Sequence, residues 1–299
     1  MKIASSGRVA AVLLLAVCVP VFAQVISLRD DRGATVALSA PAQRIVTLSP
    51  HLAEVVFAAG AGERLVGVAR FSDFPDAVRD LPQIGDAARI DLERVLVLKP
   101  DLVLAWKSGN PASDIAALER LGYPVYVSET ARLEDVPRVL RAIGALAGTM
   151  QSAEKAATAF ERGISALRER YSQRRVLRVF YQIWDRPLFT VNRDQIISDI
   201  LTVCSGYNIF ANAPALVPAV SVEAVVAARP DVILGGSELD SRQGFVESWQ
   251  HTVLASLQRV PVYYVPPQLV QRQTPRVLEG TALICRDLDD ARIRQRGGR

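Results

Sequence analysis

One segment of this sequence occurs twice. Asp91-Leu92-Glu93-Arg94-Val95-Leu96-Val97-Leu98-Lys99-Pro100-Asp101-Leu102-Val103-Leu104 returns as Ser221-Val222-Glu223-Ala224-Val225-Val226-Ala227-Ala228-Arg229-Pro230-Asp231-Val232-Ile233-Leu234. Each copy opens on a residue suited to cap a helix, carries an apolar helical run, turns at Pro-Asp and ends in a buried-strand pattern. The copies share the Glu, one Val, the Pro-Asp pair and the final Leu. Pro-Asp turns between helix and strand are common, so the repeat gains its force from what lies between the copies. Over residues 151–175, Ala153, Ala156, Ala157, Phe160, Ile164, Leu167 and Tyr171 recur at three- and four-residue steps, with charge elsewhere. That spacing predicts one long amphipathic helix near mid-chain, with no strand immediately before it. A duplicated unit on either side of such a helix predicts two αβ lobes joined by a single long backbone helix, with a ligand cleft between the lobes.

The rest of the chain agrees with an α/β fold. After a hairpin-like opening from Val25 to Leu38, Arg44 to Leu48 reads as a buried strand. Ser49 then stands at a helix N-cap with Pro50 at the first helical position. Leu52, Val55, Val56 and Ala59 form that helix's apolar face, and Gly60 stops it. Leu65–Ala69, Leu102–Trp106 and Val125–Val127 are further strands, with helical spacing over 91–98 and 112–121. Strand patterns resume at Val176–Tyr181, Val232–Leu234 and Val262–Val265. Strands alternating with helices predict parallel sheets covered on both faces. The expected divisions are a leader at 1–23, an N-terminal αβ lobe at 24–148, the bridging helix at 149–175, a C-terminal αβ lobe at 176–285 and a polar, frayed tail at 286–299.

The leader is read from its order of parts. Lys2 and Arg8 precede an apolar run from Val9 to Val17, and Val21-Phe22-Ala23 offers a small residue before a cut. That is the layout of a cleavable signal peptide. The run is shorter than the roughly 20 residues that span a membrane. Without Lys2 and Arg8 the 35 basic residues become 33, against 31 acidic ones, so the exported chain is close to neutral. Its bases are scattered, with no stripe to track phosphates, which argues against nucleic-acid binding. Half of the sequence (50%) is hydrophobic, enough to bury substantial cores and to exclude a disordered chain. Once Cys18 leaves with the leader, Cys204 and Cys285 remain, either as a disulfide in an oxidising compartment or as two buried thiols. Their separation does not match a zinc site.

Nothing in the sequence points to catalysis. The two histidines, His51 and His251, lie outside any metal-ligand cluster, and there is no nucleophile elbow or phosphate-cradling glycine loop. No resident cofactor or metal is implied, and the chain is read as a non-enzyme. Binding has more material. In open parallel sheets ligands collect beyond the carboxyl ends of the strands. Phe71, Trp106 and Phe189 all fall just after predicted strands, where aromatic faces would hold a large flat ligand. His51 begins the first helix, either as a solvated side chain or as a ligand for a metal carried by the bound molecule.

The residues at these places resemble a known family. Arg44-Ile45-Val46-Thr47-Leu48-Ser49-Pro50, with Glu54 and Phe57-Ala58-Ala59-Gly60, is similar to the first strand and helix of the periplasmic binding proteins for cobalamin, siderophores and haem. The resemblance continues at Phe71-Ser72-Asp73-Phe74-Pro75, Leu92-Glu93-Arg94, Val203-Cys204, Asn208-Ile209-Phe210 and Arg272 with Pro275-Arg276, and so covers nearly the whole exported chain. Ala105-Trp106-Lys107-Ser108-Gly109-Asn110 looks like a strand end of the cobalamin-binding members. The resemblance implies a monomeric periplasmic carrier that grips cobalamin or a related corrinoid between its lobes and delivers it to an ABC importer permease. An iron siderophore or haem is the alternative within the family; an exported enzyme or structural domain is the alternative outside it. By position, Phe71, Trp106, Phe189, Gln268 and Arg272 match ligand-contacting places, and Glu93 and Glu223 match one importer-docking carboxylate per lobe. Cys204 and Cys285 match a disulfide. Ala87 and Val217 stand near positions where the cobalamin-binding members carry tryptophan, and Gln268 stands where they carry aspartate.

Overall fold

The computed structural model describes residues 25–236, 241–251 and 254–297; the expected leader, with Cys18, lies outside them. The chain opens with an antiparallel pair, β1 (Ile26–Arg29) and β2 (Thr35–Leu38). It continues through β3 (Ile45–Thr47), α1 (Pro50–Ala58), β4 (Leu65–Val68), the short ribbon β5 (Gly85–Asp86) and β6 (Arg89–Ile90), α2 (Leu92–Leu98), β7 (Leu102–Trp106), α3 (Ala112–Arg120) and β8 (Val125–Ser128). Two helices follow, α4 (Asp135–Ala147) and α5 (Met150–Tyr171). The second half runs β9 (Leu177–Gln182), α6 (Ile196–Val203), β10 (Gly206–Asn208), α7 (Val222–Ala227), β11 (Val232–Gly235), α8 (Arg242–Gln250), α9 (Ala255–Gln258), β12 (Val262–Tyr264) and α10 (Val277–Gly297).

Two parallel sheets result, in the orders β4-β3-β7-β8 and β10-β9-β11-β12. In both, the second strand of the half lies on one side of the first strand and the third on the other. The winding therefore reverses between first and third strands, at β3/β7 in one sheet and at β9/β11 in the other. β3, β7, β8 and β11 are buried along almost their whole length, which is why they read as continuous apolar runs rather than alternating ones.

The repeated segment falls on α2–β7 and α7–β11, the same place in each sheet. Its Pro-Asp pair does more than turn the chain. Asp101 accepts hydrogen bonds from the backbone N–H groups of Gln43 (2.8 Å) and Arg44 (2.9 Å), and Asp231 accepts one from that of Arg178 (2.8 Å). The same two arginines then donate to the last carbonyls of the repeated helices. Arg44 reaches Leu98 and Lys99, and Arg178 reaches Ala228 and Arg229. A guanidinium there satisfies orphan carbonyls and meets the negative end of the helix dipole. Lys99 and Arg229 take the left-handed conformation (φ 46° and 47°) that ends each helix. Arg44 and Arg178 lie outside the repeated residues, so no sequence comparison of the copies pairs them.

Helix α5 buries Ala153, Ala157, Phe160, Ile164 and Tyr171 and packs on α1 and α4 of the first half and on α6 and α10 of the second. The strand–helix pattern does not single out α4, yet it is the helix most closely packed on α5. Gly144 permits this: a Cβ there would lie 2.3 Å from that of Ala153. One apolar cluster consequently runs from Leu52 and Leu104 through Phe160 to Leu177 and Leu201.

The carboxyl end corrects the expectation of a frayed tail. Residues 286–297 continue α10, whose Val277, Thr281, Ile284, Cys285, Leu288, Ala291 and Arg292 are buried at three- and four-residue steps. Arg292 hides this stripe from a polarity reading. It is buried because its guanidinium donates to the carbonyls of Arg175 (2.9 Å), Cys204 (2.8 Å) and Ser205 (3.0 Å) and pairs with Asp289. Cys204, closing α6, is bonded to Cys285 in α10, which decides between a disulfide and free thiols. The bridge closes a loop whose ends lie 81 residues apart in sequence. Replacing both cysteines by alanine is expected to lower the unfolding free energy by about 2–4 kcal/mol. Urea titration of the protein lacking residues 1–23 measures this, and an unchanged midpoint and slope would show that the cross-link contributes nothing.

Candidate functional site

Trp106 ends β7, one of the two strands at which the first sheet reverses. Its backbone N–H donates to Asn110 Oδ1 (2.7 Å), and Asn110 Nδ2 donates to the carbonyls of Leu48 and Ala87 (both 2.9 Å). Asn110 thus ties together the ends of β3 and β7 and the loop carrying Ala87. The indole is confined on several sides. His51 meets it edge-on, with ring centroids 5.2 Å apart and planes at 84°. A Cβ on Gly109 would lie 1.8 Å from Trp106 Cε3, so only glycine leaves room for the ring. The indole Nε1 donates to Glu129 Oε1 (3.4 Å), and that carboxylate also accepts from the backbone N–H of Ser108 (2.9 Å) and its hydroxyl (3.1 Å). The Trp-Lys-Ser-Gly-Asn stretch is, physically, a clamp that fixes an aromatic plane at a strand end.

His51 is buried, with 6% of its surface exposed, rather than solvated at a helix start. Ser49 explains part of this. It occupies the N-cap position, but its hydroxyl makes no bond to the helix backbone and lies 3.1 Å from His51 Nδ1 instead. The expected side-chain cap is therefore absent, because the histidine competes for the hydroxyl. Burial, with a smaller contribution from the charge of Arg272, pushes the imidazole pKa down to about 3, so His51 is neutral at ordinary pH. Among the described residues no group of three or more His, Cys, Asp or Glu is placed to hold a metal ion.

Two cavities lie where the halves meet. One, of about 230 Å³, is lined from the first half by Trp106, Ser108 and Glu129 and from the second by Ile183, Ile196 and Val217, among others. The other, of about 460 Å³, is lined by Asp73, Phe74 and Arg79 of the first half and by Tyr264, Gln268, Arg272 and Arg276 of the second. Trp106 and Val217 thus belong to the first cavity, Gln268 and Arg272 to the second. Phe71 and Phe189 line neither. Phe71 is 61% exposed and holds a left-handed backbone (φ 66°), with Arg70 against its ring. Phe189 is half-buried, bridged between Trp184 and Ala219.

Glu54 is a participant that the sequence reading named only as part of a family motif. It lies on α1 with 3% of its surface exposed, and burial raises its pKa against the opposing effect of Arg276 and Arg272. Arg272 Nη1 is 3.2 Å from its carboxylate and also pairs with Asp73; Arg276 Nη1 is 3.5 Å away, with its guanidinium 4.1 Å above the Phe74 ring. Acids of the first half therefore hold arginines of the second. Glu93 and Glu223 stand apart from both cavities' linings, exposed in the first turns of α2 and α7. The caps beside them are Asp91, accepting from Arg94 N–H, and Ser221, accepting from Ala224 N–H. The Glu223 carboxyl is held below its usual range by its own backbone N–H and the Ser221 hydroxyl.

Residues 45–254 match the model of a family described as periplasmic binding protein. A vitamin B12-binding protein of Vibrio campbellii is 33% identical over 252 residues, 84% of this chain and 91% of that protein. The solved periplasmic vitamin B12-binding protein of Vibrio cholerae superposes with a TM-score of 0.78 at 32% identity, covering 84% of this chain and 98% of the other. A periplasmic haem-binding protein of Pseudomonas aeruginosa reaches a TM-score of 0.72 at 23% identity, with 82% of this chain and 91% of the other covered, a likeness of fold alone.

The burial of His51 has a consequence for stability. Its folded pKa of about 3 lies below the value of 6.5 in an open chain, so between those values the unfolded state binds the extra proton. Stability then falls as pH drops through that window, by at most about 1.4 kcal/mol per pH unit from this one group. His51→Gln is expected to flatten that part of the profile in urea titrations from pH 7 to pH 4. An identical slope in both proteins would assign the acid sensitivity to other groups.

Proposed function

The chain belongs to the periplasmic binding protein family, and from that premise we propose that it captures cobalamin or a related corrinoid in the periplasm and hands it to the permease of an ABC importer. Its relatives are binding proteins, and the role proposed here is carriage without chemistry on the ligand. The observation that carries the reading is Trp106, clamped at the reversal of one sheet and facing a cavity whose far wall comes from the other half. A rigid aromatic plane loses little entropy when a flat ring system settles on it. Pockets for drug-sized ligands run to about 300–1,000 Å³. A corrinoid therefore needs both cavities joined, with the halves parting about α5 as a strut.

In this reading Phe71 and Phe189 supply further aromatic surface, and Gln268 and Arg272 supply polar contacts. The left-handed backbone of Phe71, which costs about 1–3 kcal/mol, is the kind of strain that persists at ligand-contacting places. The leader at 1–23 delivers the chain to the periplasm as a monomer. Glu93 and Glu223 dock the two halves on the importer: they hold equivalent positions on equivalent helices, and two like subunits of a permease offer two like basic sites. Their first-turn position alone would give a carboxylate favourable contact with the helix dipole, so the docking role needs its own test.

Purified protein incubated with cobalamin, haem or a ferric siderophore is expected to carry a corrinoid spectrum, and no other, through gel filtration. Retention of haem or siderophore in place of cobalamin would reassign the ligand. Trp106→Ala should weaken cobalamin binding by about 1–3 kcal/mol with little change in melting temperature, as for a central aromatic contact; a lowered melting temperature with intact affinity would make Trp106 a packing residue only. For docking, Glu93→Gln with Glu223→Gln is expected to leave ligand affinity intact and to reduce binding to importer-containing membranes, most at low salt. Equal membrane binding by both proteins would leave these residues with only their contact to the helix dipole.

A further inference from the structure

Glu129 lies just beyond β8 and faces the cavity that Trp106 lines. It is held from behind: its backbone N–H donates to Asp31 Oδ2 (2.6 Å), and its carbonyl accepts from Arg138 Nη2 (3.0 Å). The nearby cations are engaged there too, Arg138 on the Asp31 carboxylate (2.7 Å) and Lys107 Nζ on the Asp31 carbonyl (2.9 Å). On the cavity side Glu129 Oε1 takes the Trp106 and Ser108 side-chain donors, and Oε2 takes the Ser108 backbone N–H. An ionised carboxylate offers about four acceptor directions, so one remains on Oε2. Among the described residues, the cavity lining contains a second carboxylate, Asp194, the glutamines Gln195, Gln271 and Gln273, and no lysine, arginine or histidine.

We infer that Glu129 is a specificity-determining residue of this cavity: it fixes the indole plane and selects a ligand whose edge carries N–H donors, such as primary amides, over one whose edge carries carboxylates. An amide N–H completes the acceptor set of Glu129. A ligand carboxylate at the same edge meets two like charges with no cation in the lining, and in a partly desolvated cavity that repulsion is felt strongly. The inference rests on the corrinoid reading and deepens it, because a corrinoid offers its ring edge as amides.

The experiment compares cobalamin with its monocarboxylic acids, made by mild acid hydrolysis of single side-chain amides, by equilibrium binding at pH 7.5. Cobalamin is expected to bind at least about tenfold more tightly than the acids. In Glu129→Gln the preference should shrink to within about threefold, with weaker cobalamin binding and shifted tryptophan emission, as the charge beside the Trp106 indole is removed and an amide N–H replaces one acceptor oxygen. If that variant does not fold by circular dichroism, Asp194→Asn tests the same charge from the opposite wall and should narrow the preference in the same direction. Equal binding of amide and acid by the unsubstituted protein would overturn the inference while leaving corrinoid capture standing. A preference unchanged by both substitutions would overturn it as well, and failure to bind any corrinoid would remove the reading beneath it.

Discussion

Glu54 belongs to the first helix of the chain, and its two guanidinium partners come from near the last one. A carboxylate with 3% of its surface exposed persists only where cations and hydrogen bonds replace water. Arg272 and Arg276 meet that need only if the segment before α10 lies against the start of α1, so the pairing sets how the two halves face each other. Removing one member of such a cluster leaves a buried charge uncompensated, at a cost of about 3–5 kcal/mol. Asp73 extends the contact to the rim, and the charge of Arg272 is felt as far as His51, whose imidazole it helps to keep neutral.

Given that orientation, a cleft follows from the topology of each half. Both sheets wind in the same order and reverse between first and third strands, and chain segments diverge at a reversal to leave a crevice beyond the carboxyl ends. Turning one such edge toward the other produces a site with two walls from unrelated parts of the sequence. The first sheet contributes a rigid indole and an acid. The second contributes an apolar wall, amides and a second acid, Asp194. The Arg–Asp locks at β3 and β9 act at the opposite, amino-terminal ends of the strands, where they keep each repeated helix seated while the carboxyl ends are free to carry binding residues.

Much of this was readable in the residues alone, and for one reason: it depends on neighbours in sequence. Buried strands appear as apolar runs, α5 as a stripe at three- and four-residue steps, and the repeat as a helix, a Pro-Asp turn and a strand. Trp106 showed itself by standing between such a strand and a polar loop. The same local rules would have revealed α10 had Arg292 not interrupted its stripe with a charge whose carbonyl partners lie near residues 175 and 205.

What the tertiary structure alone decided has the opposite character, since each case joins groups far apart along the chain. Whether Cys204 and Cys285 bond depends on α6 meeting α10. His51 is neutral and buried because Trp106 packs against its ring and Arg272 adds its charge nearby. Glu54 stands in the sequence only as part of a family motif and Glu129 carries no sequence signal; folding makes one a buried tie between halves and the other the acceptor that holds an indole. Local periodicity encodes which face of an element is apolar, but the partner of a charge or a ring is chosen by packing, and that information exists only once the chain has folded.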